Sequence, residues 1–274
     1  MQQTKTPVDS QKILSLVDIG ANLTNQSFAN DLDEVIQRAQ QNHLNQIIVT
    51  GTSIAESLDA AALCEQYPSY LYSTAGCHPH DAKDFKAEDI QKLRDLCKLP
   101  QVVAVGECGL DFNRNYSPQA DQLKVFRQQL ALAVEVELPV FLHQRDAHQT
   151  FLGILKEFRS QLKQVVVHCF TDGIKELNDY LEIDCYIGIT GWVCDPKRGE
   201  QLRQAVPHIP DDRLLIETDA PYLLPKTLKP KPKKSRNEPA NLLHVCNAVA
   251  ELIQQNRETV AASTYKNSCH FFGL

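Results

Sequence analysis

The sequence has no long hydrophobic run. No apolar stretch approaches the roughly 18 residues that a membrane-spanning helix needs, and the opening MQQTKTPVDSQK has no apolar core of a signal peptide. None of the nine cysteines forms a C-x-x-C pair, so a zinc ribbon has no support. Cys77, Cys108, Cys169 and Cys185 lie in or beside apolar runs, which predicts buried, reduced thiols. These absences favour a cytoplasmic protein with no membrane partner.

A basic excess is also missing. The formal net charge is −6, whereas a protein that binds nucleic acid by bulk attraction is basic. Any contact with nucleic acid must then be local, made by a few cations and a metal within an acidic body. Hydrophobic residues make up 43% of the chain and charged residues 23%, which indicates a large core and excludes a disordered chain.

What the sequence does contain is a regular alternation of two kinds of segment. Short apolar runs of strand length recur at 14–20, 45–51, 71–77, 101–107, 138–143, 163–168, 184–190 and 212–219. Segments with helical spacing of apolar residues lie between or after them, at 31–43, 119–137, 176–182, 199–209 and 239–258. Strands that alternate with helices indicate βαβ units, and near-continuous hydrophobicity indicates parallel strands buried on both faces.

Eight such strands predict an α/β fold, a closed (β/α)8 TIM barrel. The chain has 274 residues, and roughly 250 are typical of that barrel. An open doubly wound sheet is disfavoured because DIGAN, and not G-x-G-x-x-G, ends the first strand. No linker divides the chain, so we predict a polar N-terminal extension at 1–13 and one barrel domain at 14–274. The helix at 239–258 should close the ring, with the tail SCHFFGL packed against the body.

Polar residues follow the predicted strands at the end where barrel enzymes place their chemistry. Glu107 and Asp219 end two strands, and His143 and His168 end two others. Each alone has a structural explanation, such as a hydrogen-bonded histidine or a helix-capping acid. Together they predict a divalent metal site, because imidazole and carboxylate suit Zn, Mn or Fe, and Mg can use the carboxylates.

Eight segments carry a family resemblance: DIGANLT, TAGCHPHDA, VGECGLDF, LHQRDAH, VVHCFTD, YIGITGWV, LLIETDAPYLLP and RNEPA. They resemble the TatD family of metal-dependent deoxyribonucleases, and its bacterial branch most closely. The segments occur in the order and at the spacing typical of the family, and the match runs from about residue 14 to the C-terminus. The resemblance implies a (β/α)8 barrel, a divalent metal and hydrolysis of DNA.

The resemblance also implies roles for individual residues. Glu107, His143 and His168 match the family's metal ligands, and Asp219 matches the aspartate at the metal and its attacking water. His78 matches a histidine near the substrate phosphate. The catalytic residues predicted in this way are Asp219, Glu107 and His78, and Asp219 completes the predicted metal set.

The first strand departs from the wider family, which carries D-x-H-x-H there. This chain has Gly20 and Asn22 in place of the two histidines. Two imidazole ligands are therefore lost, which predicts one well-held metal and a second that is weak or arrives with the substrate. Mg²⁺ is the expected metal because it is abundant in cells, with Mn²⁺ or Zn²⁺ as alternatives.

Several other polar side chains are candidates for substrate binding: His78, His80, Arg145, Arg236 and Asn22. Arg145 has the alternative of pairing with a nearby carboxylate. The loop at 225–239 holds five lysines, one arginine and four prolines, so it is either a phosphate-binding loop or a solvated one. Trp192 has two interpretations as well, a base-stacking residue or a packed one.

The sequence thus predicts a monomeric, metal-dependent deoxyribonuclease, a 3′→5′ exonuclease on single-stranded DNA as the resemblance suggests. Two alternatives remain on the same barrel, an amidohydrolase and a hydrolase of aminoacyl esters on tRNA. The missing H-x-H and the presence of Glu107 weigh against the amidohydrolase. A catalytically dead barrel that binds nucleic acid or protein is a third hypothesis, which the four retained ligands disfavour.

Overall fold

A computed structural model describes residues 14–230, 233 and 235–274. The predicted extension at 1–13 and three positions of the basic loop, Lys231, Pro232 and Lys234, lie outside the described residues. Eight strands form one parallel sheet in the order β1 to β8, with helices between them. The predicted (β/α)8 barrel is therefore confirmed. The strands are β1 Leu16–Ala21, β2 Leu44–Val49, β3 Leu71–Ala75, β4 Val102–Asp111, β5 Val140–Arg145, β6 Val165–Val167, β7 Tyr186–Ile189 and β8 Leu214–Ile216.

The helices cover the outside of the barrel. They are α1 Leu32–Gln41, α2 Ile54–Gln66, α3 Asp89–Leu96, α4 Gln119–Val136, α5 His148–Phe158, α6 Ile174–Glu182, α7 Glu200–Ala205, α8 Leu242–Leu252 and α9 Arg257–Phe272. The apolar stripe of α1 shows why: Val35, Ile36 and Ala39 are buried while its charged residues face outward. Among the described residues, no helix is long and apolar enough to cross a membrane.

The prediction of one helix at 239–258 is wrong. A short 3-10 turn leads into α8, which ends at Leu252, and a new helix, α9, begins at Arg257. Asn256 starts α9 because its side chain accepts a hydrogen bond from the Thr259 amide at 2.7 Å. The tail predicted to pack against the body belongs to α9 as far as Phe272, and Phe271 is buried against Tyr186.

The seam between β1 and β8 closes the barrel with few backbone contacts. One bridge joins Ala21 to Ala220, and the Asp219 amide donates to the Gly20 carbonyl at 2.8 Å. The Asp18 carboxylate adds a side-chain link, since it accepts from the Thr218 amide at 2.9 Å. The first and last strands of the barrel therefore meet beside the polar residues that follow β1 and β8.

Gly109 allows β4 and β5 to approach closely beside the polar end of the barrel. Its φ is +148°, and a Cβ there would lie 1.8 Å from the His143 carbonyl oxygen. We expect Gly109→Ala to lower the free energy of unfolding by about 3 kcal/mol, measured by urea denaturation.

Gly153→Ala is the matched control, because Gly153 lies inside α5 and its Cβ would meet nothing within 4 Å. That change should raise stability by about 0.5–1 kcal/mol. Equal stability changes in the two variants would contradict a steric role for Gly109.

Candidate metal centre

The polar face of β4 begins the candidate site. The strand was predicted to end at Glu107 but runs on to Asp111, which pairs with Arg145 of β5. Side chains alternate along a strand, so Glu107, Gly109 and Asp111 share one face. Both carboxylates are buried, and this face carries them to the mouth at the carboxyl ends of the strands.

Three imidazoles converge on a single oxygen of Glu107. His78 follows β3, His143 lies in β5 and His168 follows β6. The distances to Glu107 Oε1 are 3.3 Å from His78 Nε2, 3.2 Å from His143 Nδ1 and 2.8 Å from His168 Nε2. The structure therefore brings together three of the four residues predicted as metal ligands, with His78 beside them.

Charge holds this cluster in place. Burial alone would raise the pKa of Glu107, but the imidazoles of His168 and His78 outweigh it and hold that pKa well below its usual value. Burial likewise acts to lower the pKa of His168, but Glu107 and Glu217 raise it well above the usual value. Burial dominates at His78 and lowers its pKa to about 4. Glu107 is thus an anion within a ring of imidazoles.

The second nitrogen of each ring distinguishes His78 from His168. His78 Nδ1 accepts a hydrogen bond from the His80 backbone amide at 3.1 Å, so a neutral His78 carries its proton on Nε2, the atom aimed at Glu107. His168 Nδ1 lies 3.2 Å from the Glu217 carboxylate, which keeps a proton on Nδ1, so that loss of the Nε2 proton to make room for a cation would leave the Nε2 lone pair facing the centre. The two rings therefore differ in which nitrogen is committed to a neighbour, Nδ1 as an acceptor in His78 and Nδ1 beside a carboxylate in His168.

His143 adds an independent sign that the centre can hold a cation. Its Nε2 atom is buried and has no hydrogen-bond partner among the described residues, and the Asp111 carboxylate is 3.6 Å away. Ligand atoms of His78, Glu107 and His143 lie within 4.8 Å of one another. Imidazole nitrogen and carboxylate oxygen together form a donor set that fits a divalent metal.

Asp219 lies beside this cluster, three residues after the end of β8, with a φ of +53°. Its Oδ1 accepts from Asn22 Nδ2 at 3.0 Å, so Asn22, which replaces the second histidine of H-x-H, orients this carboxylate. Burial raises the pKa of Asp219 to about 7, and the negative charges of Glu107 and Glu217 act in the same direction. Asp219 is thus an oriented carboxylate that readily accepts a proton.

Glu217 is a central residue that the sequence analysis missed. It is fully buried, and one oxygen accepts the Cys169 amide at 2.5 Å while the other contacts His168 Nδ1. A Cβ on Gly20 would lie 2.6 Å from Glu217 Oε2, so this carboxylate fills the space beside Gly20. A histidine at that position has no room in this barrel. The position of Glu217, two residues before Asp219, was the signal from which the sequence analysis could have found it.

An open cavity of about 710 Å³ covers the cluster. Asn22, His80 and Arg145 line it, as predicted for substrate-binding residues. His80 Nε2 lies 2.7 Å from Asp111 Oδ2, which links a second missed carboxylate to the mouth. Asp111 could have been found from its spacing of four residues after Glu107 on the same strand face.

Arg236 does not reach this cavity in the structure. Its guanidinium is held by Asp31 at 2.6 Å and by Glu238 at 2.7 Å, and it is not among the described residues that line the mouth. In the same basic loop, Lys226 pairs with Asp195 at 2.7 Å. Carboxylates therefore neutralise at least these two cations of the loop.

All nine cysteines are free thiols. The predicted burial is confirmed for Cys77, Cys108 and Cys185 and is wrong for Cys169, which is half-buried and lines the cavity. Because Cys169 follows His168 directly after β6, its side chain lies at the mouth and not in the core.

Comparison with known proteins agrees with this geometry. The family of TatD related DNases matches residues 17–273. The chain is 49% identical over 259 residues to a protein of Erwinia tasmaniensis named 3′-5′ ssDNA/RNA exonuclease TatD, covering 94% of this chain and 100% of the relative. The equivalent protein of Edwardsiella piscicida is 48% identical with the same coverage.

Solved structures are similar as well. A TatD family hydrolase from Entamoeba histolytica matches with a TM-score of 0.86 and 30% identity, over 94% of this chain and 98% of that one. YjjV, a TatD homologue from Escherichia coli, matches with a TM-score of 0.87 and 27% identity, over 96% and 99%. Fold, site and sequence agree, and the chain belongs to the family of TatD related DNases.

Proposed function

We propose that this nuclease removes nucleotides from the 3′ end of single-stranded DNA, with Mg²⁺ as its metal. The observation that carries the proposal is the convergence of three imidazoles on Glu107 Oε1 at an open mouth, with Asp219 beside them. The relatives' names, which specify a 3′-5′ exonuclease of single-stranded DNA and RNA, support the substrate and polarity. We further propose that the enzyme acts as a monomer in the cytoplasm.

Glu107, His143 and His168 are the proposed metal ligands, and Asp219, the fourth predicted ligand, is proposed to act mainly on the attacking water from beside their site. Mg²⁺ is favoured by its abundance, while the imidazole ligands also accommodate Mn²⁺ or Zn²⁺. A divalent cation supplies an activated water and neutralises charge on the phosphoryl oxygens. Although His78 belongs to the close cluster of possible ligand atoms, we assign it a donor role, because its Nδ1 accepts the His80 amide and a neutral ring then carries its proton on Nε2.

The chain's own residues then perform the remaining steps. Asp219 orients the attacking water and accepts its proton, and the Asn22 amide keeps that carboxylate in place. His78 donates its Nε2 proton in a hydrogen bond to a phosphate oxygen or to the leaving oxygen. His80 and Arg145 bind the substrate from the rim of the cavity. Arg236 is not part of this proposal because Asp31 and Glu238 hold its guanidinium.

The test uses single-stranded DNA labelled at its 5′ end, with Mg²⁺ or Mn²⁺. We expect a ladder that shortens from the 3′ end and that is absent with EDTA and in Glu107→Ala. Intact DNA with every metal, while the protein still binds metal, would overturn the substrate assignment. Amide and aminoacyl-ester substrates would then be assayed on the same barrel.

Glu217 gives a separate prediction about metal binding. Both of its oxygens accept hydrogen bonds, from Cys169 and His168, and glutamine would present only one acceptor to these two donors. We expect Glu217→Gln to weaken Mn²⁺ binding by about 10–100-fold, measured by isothermal titration calorimetry. Glu176→Gln, which alters a carboxylate that caps α6, is the control. Wild-type affinity in Glu217→Gln would show that Glu217 does not position His168.

A further inference from the structure

The cations around the mouth are unevenly distributed. The arginines that line the cavity, among the described residues, are Arg114 after β4, Arg145 at the end of β5 and Arg198 after β7. The segments after β1, β2 and β3 contribute no arginine or lysine to the described lining. They contribute two carboxylates, Glu56 in the first turn of α2 and Asp81 after β3. One side of the mouth is therefore positive and the other is negative.

Trp192 organises the positive side. The guanidinium carbon of Arg198 lies 4.2 Å from the centre of its ring, and that of Arg145 lies 5.2 Å away. The indole Nε1 donates to the Arg198 carbonyl at 3.3 Å, and Arg145 Nη1 donates to Thr171 Oγ1 at 2.9 Å. Both guanidiniums therefore lie against one indole ring at the rim of the cavity.

Nearby carboxylates neutralise this pair only in part. Arg198 binds Asp195 at 2.8 Å, but Lys226 binds the same carboxylate at 2.7 Å, so one negative charge serves two cations. Asp146 is 4.0 Å from Arg145 Nε and is more than half exposed. Both arginines keep part of their side chains in solvent, 54% for Arg198 and 34% for Arg145. The surface retains positive charge that a phosphate can reach.

We propose that Arg145, Trp192 and Arg198, here called the arginine wall, bind the phosphodiester backbone of the retained strand on the 5′ side of the scissile bond. The inference rests on the proposed nuclease function and adds the path of the substrate. The negative side formed by Glu56 and Asp81 repels that backbone, so the strand leaves over the loops that follow β5 and β7. Phosphate contacts of this kind position a strand and do not read its bases.

The first measurement is the binding of a fluorescein-labelled oligothymidylate in EDTA, where no cleavage occurs, over a series of salt concentrations. Arg198→Gln should weaken binding about tenfold and lower the slope of log affinity against log salt by about 0.7, the value for one phosphate contact on a single strand. Arg198→Lys should retain most of the slope. Arg94→Gln, on α3 and paired with Glu135, removes the same charge elsewhere and should match the wild type.

Trp192 supplies a second measurement because it is the only tryptophan in the chain. Its intrinsic fluorescence therefore reports on the arginine wall alone. Oligothymidylate should change the emission in a saturable way, with a smaller change for thymidylyl-thymidine, which has a single phosphate. Emission that stays constant while the labelled oligonucleotide binds would overturn the proposal.

Kinetics separate this inference from the proposed function. In Arg198→Gln, the kcat/KM for a long oligothymidylate should fall relative to that for thymidylyl-thymidine. The wild type could cleave DNA while Arg198→Gln keeps both the wild-type ratio of the two kcat/KM values and the wild-type salt slope. That result would overturn the arginine wall and leave the proposed nuclease function standing. No cleavage by the wild type overturns the proposed function, and the binding series in EDTA then decides the wall alone.

Discussion

Replacing Glu107 with glutamine should lower the rate of DNA cleavage by at least about 10³-fold, equivalent to about 4 kcal/mol of transition-state stabilisation. The change removes the one negative charge that three imidazoles approach within 3.3 Å. Glutamine has nearly the same shape, so the effect would report on charge and not on packing. Single-turnover assays with Mg²⁺ measure the rate, and calorimetry with Mn²⁺ should show the matching loss of affinity.

Glu56→Gln is the matched control for this experiment. Glu56 lines the same cavity and accepts a hydrogen bond from Thr24, and glutamine can still accept that bond. The control should keep the wild-type metal affinity and nearly the wild-type single-turnover rate at saturating DNA, because the loss of a repelling charge acts on DNA binding. If Glu107→Gln retained metal binding at the wild-type level, the centre built around Glu107 would not be the metal site.

Asp219→Asn should give a different pattern, a loss of about 10³-fold in cleavage with little change in metal affinity. The carboxylate lies beside the cluster and is oriented by Asn22, and the ligand atoms that lie closest together belong to other residues. Asparagine keeps the shape but cannot accept a proton from water. Cleavage rates and Mn²⁺ titration on the same preparation would separate the two effects.

Asn22→Ala extends this test through a double-mutant cycle. Loss of the Asn22 amide should slow cleavage about tenfold by freeing the Asp219 side chain, and it should have no further effect in Asp219→Asn. Metal affinity that falls in step with cleavage in Asp219→Asn would identify Asp219 as a ligand and contradict its role as the base.

The barrel could be predicted because its signals are local. Each strand is a short apolar run and each predicted helix has its own apolar spacing, so neither depends on distant contacts. The helix at 239–258 was mispredicted because apolar residues continue across the break. A single capping residue, Asn256, marks the start of α9. One such residue is a weaker sequence signal than the apolar periodicity on either side of it.

The candidate site could be predicted only where each residue lies at or near the carboxyl end of a predicted strand. Glu107, His143, His168 and Asp219 were found in this way, and the structure places them at one mouth. Glu217 was missed because it is fully buried, and its partner His168 is 49 residues away in sequence. A strand end shows which residues reach the mouth but not which of them face one another.

Arg236 illustrates the opposite error. A basic, proline-rich loop at the catalytic end suggested contact with phosphate, but its arginine pairs with Asp31, 205 residues away in sequence. Composition reports the charge of a loop and carries no information on a partner so distant. Long-range ion pairs of this kind can be assigned only from the folded structure.

The seam between β1 and β8 has a consequence for protein synthesis. The contact between Asn22 and Asp219 spans 197 residues, so a nascent chain cannot form the complete site until β8 has left the ribosome. A partly made chain would therefore have no assembled cleavage centre. Ribosome-bound chains stalled before Asp219 should be inert towards labelled oligonucleotides, and the activity should arise only as translation finishes.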